Sequence, residues 1–156
     1  MLNRFYNSRD IAVLKGKTLV DVQGIEDGSR EVLFSCSDGT KYKLYHQQDG
    51  DENVYLSSVS GTTLPDGKHT ENPAPLLKGP VTVVEWTSFD AEYLPPVCKH
   101  KPHEGIMAVT RTLYLIATTK GVAYLKWTAS SDDPMESTEM DFVQVEGEGM
   151  WKEDKE

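Results

Sequence analysis

Short β-prone runs, each bounded by Gly, Pro, Asp or Ser, constrain this chain more than any other feature of its sequence. They are Thr18–Val22, Glu31–Cys36, Lys41–Tyr45, Val54–Val59, Val81–Trp86, Arg111–Thr118, Val122–Trp127 and Phe142–Val145. Thr18–Val22 and Lys41–Tyr45 alternate polar with apolar residues, so one strand face meets a core and the other meets water. Ser37-Asp38-Gly39-Thr40 predicts a hairpin through a type I′ turn, and Thr119-Lys120-Gly121 predicts a second.

Helix signals are few. Ser8 is placed to cap a segment in which Ile11 and Leu14 share a face, ending at Gly16. Asn72-Pro73 opens a second short turn through Leu76 and Leu77, ending at Gly79. Ser60–Asn72 and the proline-bearing Asp90–Gly105 read as surface loops. The halves also resemble each other. Leu14-Lys15-Gly16 recurs as Leu77-Lys78-Gly79, and a shift of 82 lays Leu33 on Leu115, Gly39 on Gly121, Tyr42 on Tyr124 and Tyr45 on Trp127. The expected fold is mainly β, with antiparallel strands in two similar halves forming a sandwich or partly open barrel with one or two short helices. Either half alone would leave an apolar sheet face exposed, so the two should pack together.

With 156 residues, the chain is long enough for one core. The expected organisation is one β-rich domain over 1–146 and an acidic tail over 147–156. The net charge of −9 is concentrated at the end: residues 132–156 carry ten acids against two lysines, leaving −1 for residues 1–131. Such an end repels nucleic acid and steers basic partners. No run approaches the roughly 18 apolar residues that a membrane helix needs. The first ten residues lack the apolar stretch of a secretory signal. Cys36 and Cys98 fit a reducing cytoplasm as free thiols.

Leu-Lys-Gly-Lys-Thr (14–18), Ser-Asp-Gly-Thr-Lys-Tyr (37–42) and Tyr-His-Gln-Gln-Asp (45–49) resemble an uncharacterised small-domain family of bacteriophages and bacteria, catalogued as a domain of unknown function. Residues 113–121, Leu-Lys-Trp (125–127) and Met-Asp-Phe (140–142) continue the resemblance, which covers roughly 10–146. It implies a phage-type or bacterial accessory protein in the cytoplasm and brings no activity. Where family members tend to carry two cysteines and a Glu, this chain has Gly50, Asp51 and Glu52, so no thiol chemistry operates there.

The chemistry-bearing candidates are weak. Cys98, His100 and His103 lie within six residues and fit half a zinc site, the fourth ligand falling to Cys36, His46, His69 or Glu104. Without a second paired motif, the stronger reading is a positive loop patch of Lys99, His100, Lys101 and His103, able to meet phosphate or carboxylates. Asp49-Gly-Asp51-Glu-Asn53 opens like a calcium loop but has Val54 and Ser60 where Gly and Glu are required. His46 could serve as a base oriented by Asp49, but no nucleophile lies nearby, so it reads as a surface histidine. No dinucleotide, phosphate-loop, nucleophile-elbow or zinc-protease motif is present. The leading expectation is therefore a non-enzymatic protein-interaction module without cofactor or metal, binding and modulating a host or bacterial protein such as a defence component. The alternative is a binder of a nucleotide-like signal, with phosphate on Lys99, His100, Lys101 and His103 and a ring on Tyr45 or Trp127. Nucleic acid and membrane are not expected partners, and the sequence does not specify an oligomeric state.

Overall fold

The computed structural model describes residues 10–48, 50–93, 107–131 and 138–145, which form two antiparallel sheets sharing one apolar core. The strands are β1 (Leu19–Gln23), β2 (Glu31–Cys36), β3 (Lys41–Tyr45), β4 (Asn53–Thr63), β5 (His69–Thr70), β6 (Val81–Tyr93), β7 (Met107–Thr118), β8 (Gly121–Ser131) and β9 (Asp141–Val145). One sheet runs β1-β2-β3-β9 and the other β5-β4-β8-β7-β6, so the mainly-β expectation holds and no barrel closes. Period-2 alternation builds the core. Phe34, Leu44 and Val32 from one sheet and Leu125, Trp127, Ile116 and Leu56 from the other are almost wholly buried. Each such side chain stabilises the fold by about 1.5–3 kcal/mol through removal from water.

Each of the eight expected runs lies in or overlaps a strand, but β4, β6, β7 and β8 extend well beyond the apolar runs. Backbone pairing carries the ladder through Ser- and Thr-rich ends that apolar patterning does not mark. Two loop assignments are corrected accordingly. Residues 60–63 continue β4, and His69–Thr70 folds back on it (Gly61↔Thr70, Thr62↔His69) around a turn with a cis Leu64–Pro65 bond. Asp90 to Tyr93 belong to β6, and residues 94–106 lie outside the described residues.

Both short helices form. The first is a 3₁₀ turn, Ile11–Leu14, capped by Asp10, whose Oδ1 accepts from the Ala12 N–H at 3.0 Å. Ser8, the expected cap, lies outside the described residues. The second is α1 (Ala74–Leu77), held to β7 by a buried hydrogen bond from the Thr118 hydroxyl to the Leu76 carbonyl.

The hairpin turns differ from expectation in kind. Among the described residues only glycines have positive φ, so Asp38 is not in a type I′ turn. Gly39 (φ +91°) donates to the Cys36 carbonyl at 3.0 Å, and Cys36 donates to the Thr40 carbonyl at 2.9 Å, a type I turn with a glycine bulge. Asp38 favours it by accepting from the Thr40 N–H at 3.0 Å and hydroxyl at 2.6 Å. Gly121 is needed for space instead: a Cβ there would lie 2.5 Å from the Thr62 carbonyl oxygen on β4.

The two halves repeat as expected in element order: short helix, strand, hairpin. Side-chain phase is not kept throughout, since Tyr42 is buried while Tyr124 alternates with buried Ala123 and Leu125. The strands that follow the two hairpins are exchanged. β4 follows the β1-β2-β3 meander but pairs with β8, and β9 follows β6-β7-β8 but pairs with β3. The 3₁₀ turn crosses over to pack on β6, whereas α1 packs chiefly on β8 and β7 and also touches β1. The two Leu-Lys-Gly motifs meet at this junction, where Gly16 N–H donates to Val81 O (2.9 Å), Val81 N–H to Lys17 O (2.8 Å) and Leu19 N–H to Gly79 O (2.9 Å). Each half thus completes the sheet of the other.

Candidate functional site

His46 leaves the end of β3 pointing inward, not outward. Its side chain is 3% exposed and that of Glu52 is fully buried, which corrects the surface reading. Nδ1 lies 2.6 Å from the Glu139 carbonyl oxygen, and Nε2 lies 2.5 Å from Glu52 Oε2. A carbonyl only accepts, so Nδ1 donates to it, and Nε2 faces the carboxyl group. The Gly50 N–H donates to Glu52 Oε1 at 2.6 Å, and Gln48 Nε2 donates to the Glu52 carbonyl at 2.7 Å. Asp49, the expected orienting group, lies outside the described residues; Glu52 holds that place. Both ring nitrogens are committed, and the pair lines neither of the two hollows described below. Its work is mechanical: it ties the segment before β9 to the turn between β3 and β4, helped by the Gln47 N–H on Asp141 Oδ2 at 2.7 Å.

That tied segment forms one wall of a groove of about 700 Å³. The floor is the inner face of the β6–β7 ladder, where Trp86 opposes Tyr114, Ser88 opposes Thr112 and Asp90 opposes Thr110. Directly opposed residues share a face, so the indole, the phenol ring and the hydroxyls line one surface. Asp10 and Ile11 of the 3₁₀ turn form one wall; Thr138, Glu139, Met140 and Phe142 form the other. Trp86 lies on the core-facing side of its sheet yet is 55% exposed, because its strand is the outermost one. Its ring tilts against Tyr114, with centroids 6.2 Å apart. Burial keeps the Tyr114 phenol protonated far above the usual tyrosine range, with the Asp141 charge adding to the effect.

The hydroxyls interlock: Ser88 with Thr112 at 3.1 Å, Thr110 with Thr138 at 3.1 Å, and Thr110 donating to Asp90 Oδ1 at 2.9 Å. Among the described residues, every charged side chain lining the groove is a carboxylate: Asp10, Asp90 and Glu139. The groove therefore disfavours phosphate and favours a cation, which an exposed indole face also attracts. A second hollow of about 720 Å³ lies between the β1–β2 turn and β4, with Glu26, Asp27, His69 and Glu71 on its rim. It is shallow and polar. Among the described residues no three His, Cys, Asp or Glu side chains come together as a metal site.

The candidates that the sequence singles out are scattered by comparison. Lys99, His100, Lys101 and His103, with Cys98 and Glu104, lie outside the described residues. Cys36 is buried, which pushes its thiol above the usual range. Tyr45 is 8% exposed under Lys43, and Trp127 is 1% exposed in the core, its indole N–H unpartnered among the described residues. Neither ring is open to a ligand, because alternation turns Trp127 inward beside Leu125 and Ala129. The residue that sequence reasoning passes over is Trp86, which reads as one more strand aromatic packed in a sheet. Its signal is an aromatic on a run whose downstream residues, Ser88 and Asp90, are polar on the same face.

No helix among the described residues is long and apolar enough to cross a membrane. A family model described as a domain of unknown function (DUF7448) matches residues 12–142. No curated protein and no solved structure matches the chain.

Proposed function

The chain belongs to the DUF7448 family of domains of unknown function, and from the groove its residues build we propose that it is a non-enzymatic recognition module for a protein partner. The observation that carries this reading is Trp86. An indole left 55% exposed on the core-facing side of a sheet is costly in isolation and is the residue type on which interfaces concentrate binding energy. Around it stand carboxylates and interlocked hydroxyls, a surface suited to a basic side chain of a partner. In the setting that the family resemblance implies, that partner is a host protein. A nucleotide-like ligand fits less well, since among the described residues no lysine or arginine lines the groove to meet its phosphates.

The test is site-specific cross-linking. A photoreactive residue is placed at Ser88 in the groove and, as control, at Val20, which is 53% exposed on β1. In bacterial lysate the Ser88 probe should give a discrete adduct that raised salt weakens and Trp86→Ala abolishes. Identical adduct patterns from both positions, or an adduct indifferent to Trp86→Ala, would sink the reading.

A further inference from the structure

Of the four outermost strands among the described residues only one is long, and the length of β4 that β5 leaves uncovered is met at Leu56 by hydrogen bonds with Gly28 and Ser29. β1 and β9 have five residues each and β5 has two, whereas β6 has 13 and is the outermost strand of its sheet. Its far side has no strand beside it among the described residues. Proteins blunt such edges with proline, charged side chains, shortness or bulges, and the charges of β6 are all carboxylates, which repel an acidic strand and admit a basic one. The β6 sequence contains no proline, lysine or arginine, and its one register shift lies at the Val81–Val83 end. Along the open length, Trp86, Ser88 and Asp90 face the groove, while Phe89 (50% exposed) and Val83 (37%) stand on the opposite face. An added strand would therefore meet side chains on both faces as well as a row of backbone donors and acceptors.

We propose that β6 is a strand-addition site, on which an extended segment of the protein partner pairs and sends alternate basic side chains over Trp86 toward Asp90. This rests on the recognition reading above and adds the binding mode. Charge selects the occupant. Glu85 and Asp90 are exposed on the strand, Asp10 and Glu139 line the adjoining groove, and Asp90 Oδ2 has no partner among the described residues. A second copy of β6 would bring only further carboxylates and no cation.

The experiment uses the full chain and three fluorescent octapeptides. One alternates threonine with arginine, one is the same peptide N-methylated at alternate backbone nitrogens, and one carries citrulline in place of arginine. Anisotropy should show saturable binding of the first, weakened at least about tenfold by N-methylation and by citrulline. Hydrogen exchange should slow in β6 and not in β1. Equal binding of the parent and N-methylated peptides overturns strand addition while leaving the groove reading intact. Equal binding of the citrulline peptide overturns the cationic occupant. Absence of saturable binding, or a dimer in sedimentation whose dissociation exposes β6 to exchange, overturns the proposal, and the Ser88 cross-link then judges the recognition reading separately.

Discussion

Removing the imidazole of His46 should unfold more of the molecule than its position at a strand end suggests. His46→Ala takes away the ring nitrogens that meet Glu52 Oε2 at 2.5 Å and the Glu139 carbonyl at 2.6 Å. It leaves a carboxyl group of zero exposure without its imidazole partner. Breaking a buried pair by deleting one member costs about 3–5 kcal/mol, chiefly the desolvation of the group left behind. Against a total stability of about 5–15 kcal/mol, that is a large fraction. At roughly 2–4 °C per kcal/mol for a chain of this size, the melting temperature should fall by about 6–20 °C.

Two companion variants separate charge from shape. In Glu52→Gln the amide oxygen can keep the Gly50 N–H, and the amide N–H can donate to Nε2 of a neutral ring that still donates through Nδ1. The loss should stay near 1–2 kcal/mol, the difference between a charge-assisted and a neutral hydrogen bond. The double replacement His46→Leu with Glu52→Leu should cost less than the sum of its singles, because neither leaves the other stranded. Urea unfolding monitored by circular dichroism measures all of these. A His46→Ala cost below about 1 kcal/mol, or strictly additive singles, would refute the reasoning that the pair is a buried, coupled tie.

Two further outcomes follow from the hairpins. Lys17 Nζ lies 2.7 Å from Asp38 Oδ2, and with the Thr40 bonds this holds the Asp38 carboxyl well below its ordinary 3.8. A depressed native value adds stability above the ordinary one that fades as pH falls through the native one. Asp38→Asn should therefore be the less stable protein at neutral pH, with the gap closing as pH drops below about 4. A gap that persists unchanged into acid would contradict this assignment. Gly121→Ala sets a methyl group 2.5 Å from the Thr62 carbonyl oxygen and should cost about 1–3 kcal/mol, seen as a lower melting temperature. An unchanged melting temperature would mean that β4 moves aside freely.

Much of the fold is legible in the sequence because its signals are local. Lys41–Tyr45 alternates, Asp38-Gly39 turns, and Leu76 and Leu77 follow Pro73, each within a few residues of the neighbours that give it meaning. The turn type is not legible, because Asp38 spends its carboxylate on Thr40, an arrangement compatible with the same residue pair. The candidate site is barely legible. His46 reads as exposed because it follows a strand, but its partners lie six and 93 positions away. Trp86 and Trp127 look alike in sequence, each an aromatic in an apolar run; only their places in the sheet, edge and interior, expose one and bury the other.

The amino-acid order by itself thus determined eight of the nine strands in outline, the two hairpins, both short helices and the kinship of the halves, since these follow from periodicity and turn chemistry along contiguous residues. Tertiary structure decided which strands meet. It passed β4 and β9 across to the opposite sheets, sealed His46 against Glu52 and left β6 open beside an acidic groove, because pairing between distant segments is chosen by the shared burial of two faces that no local pattern encodes.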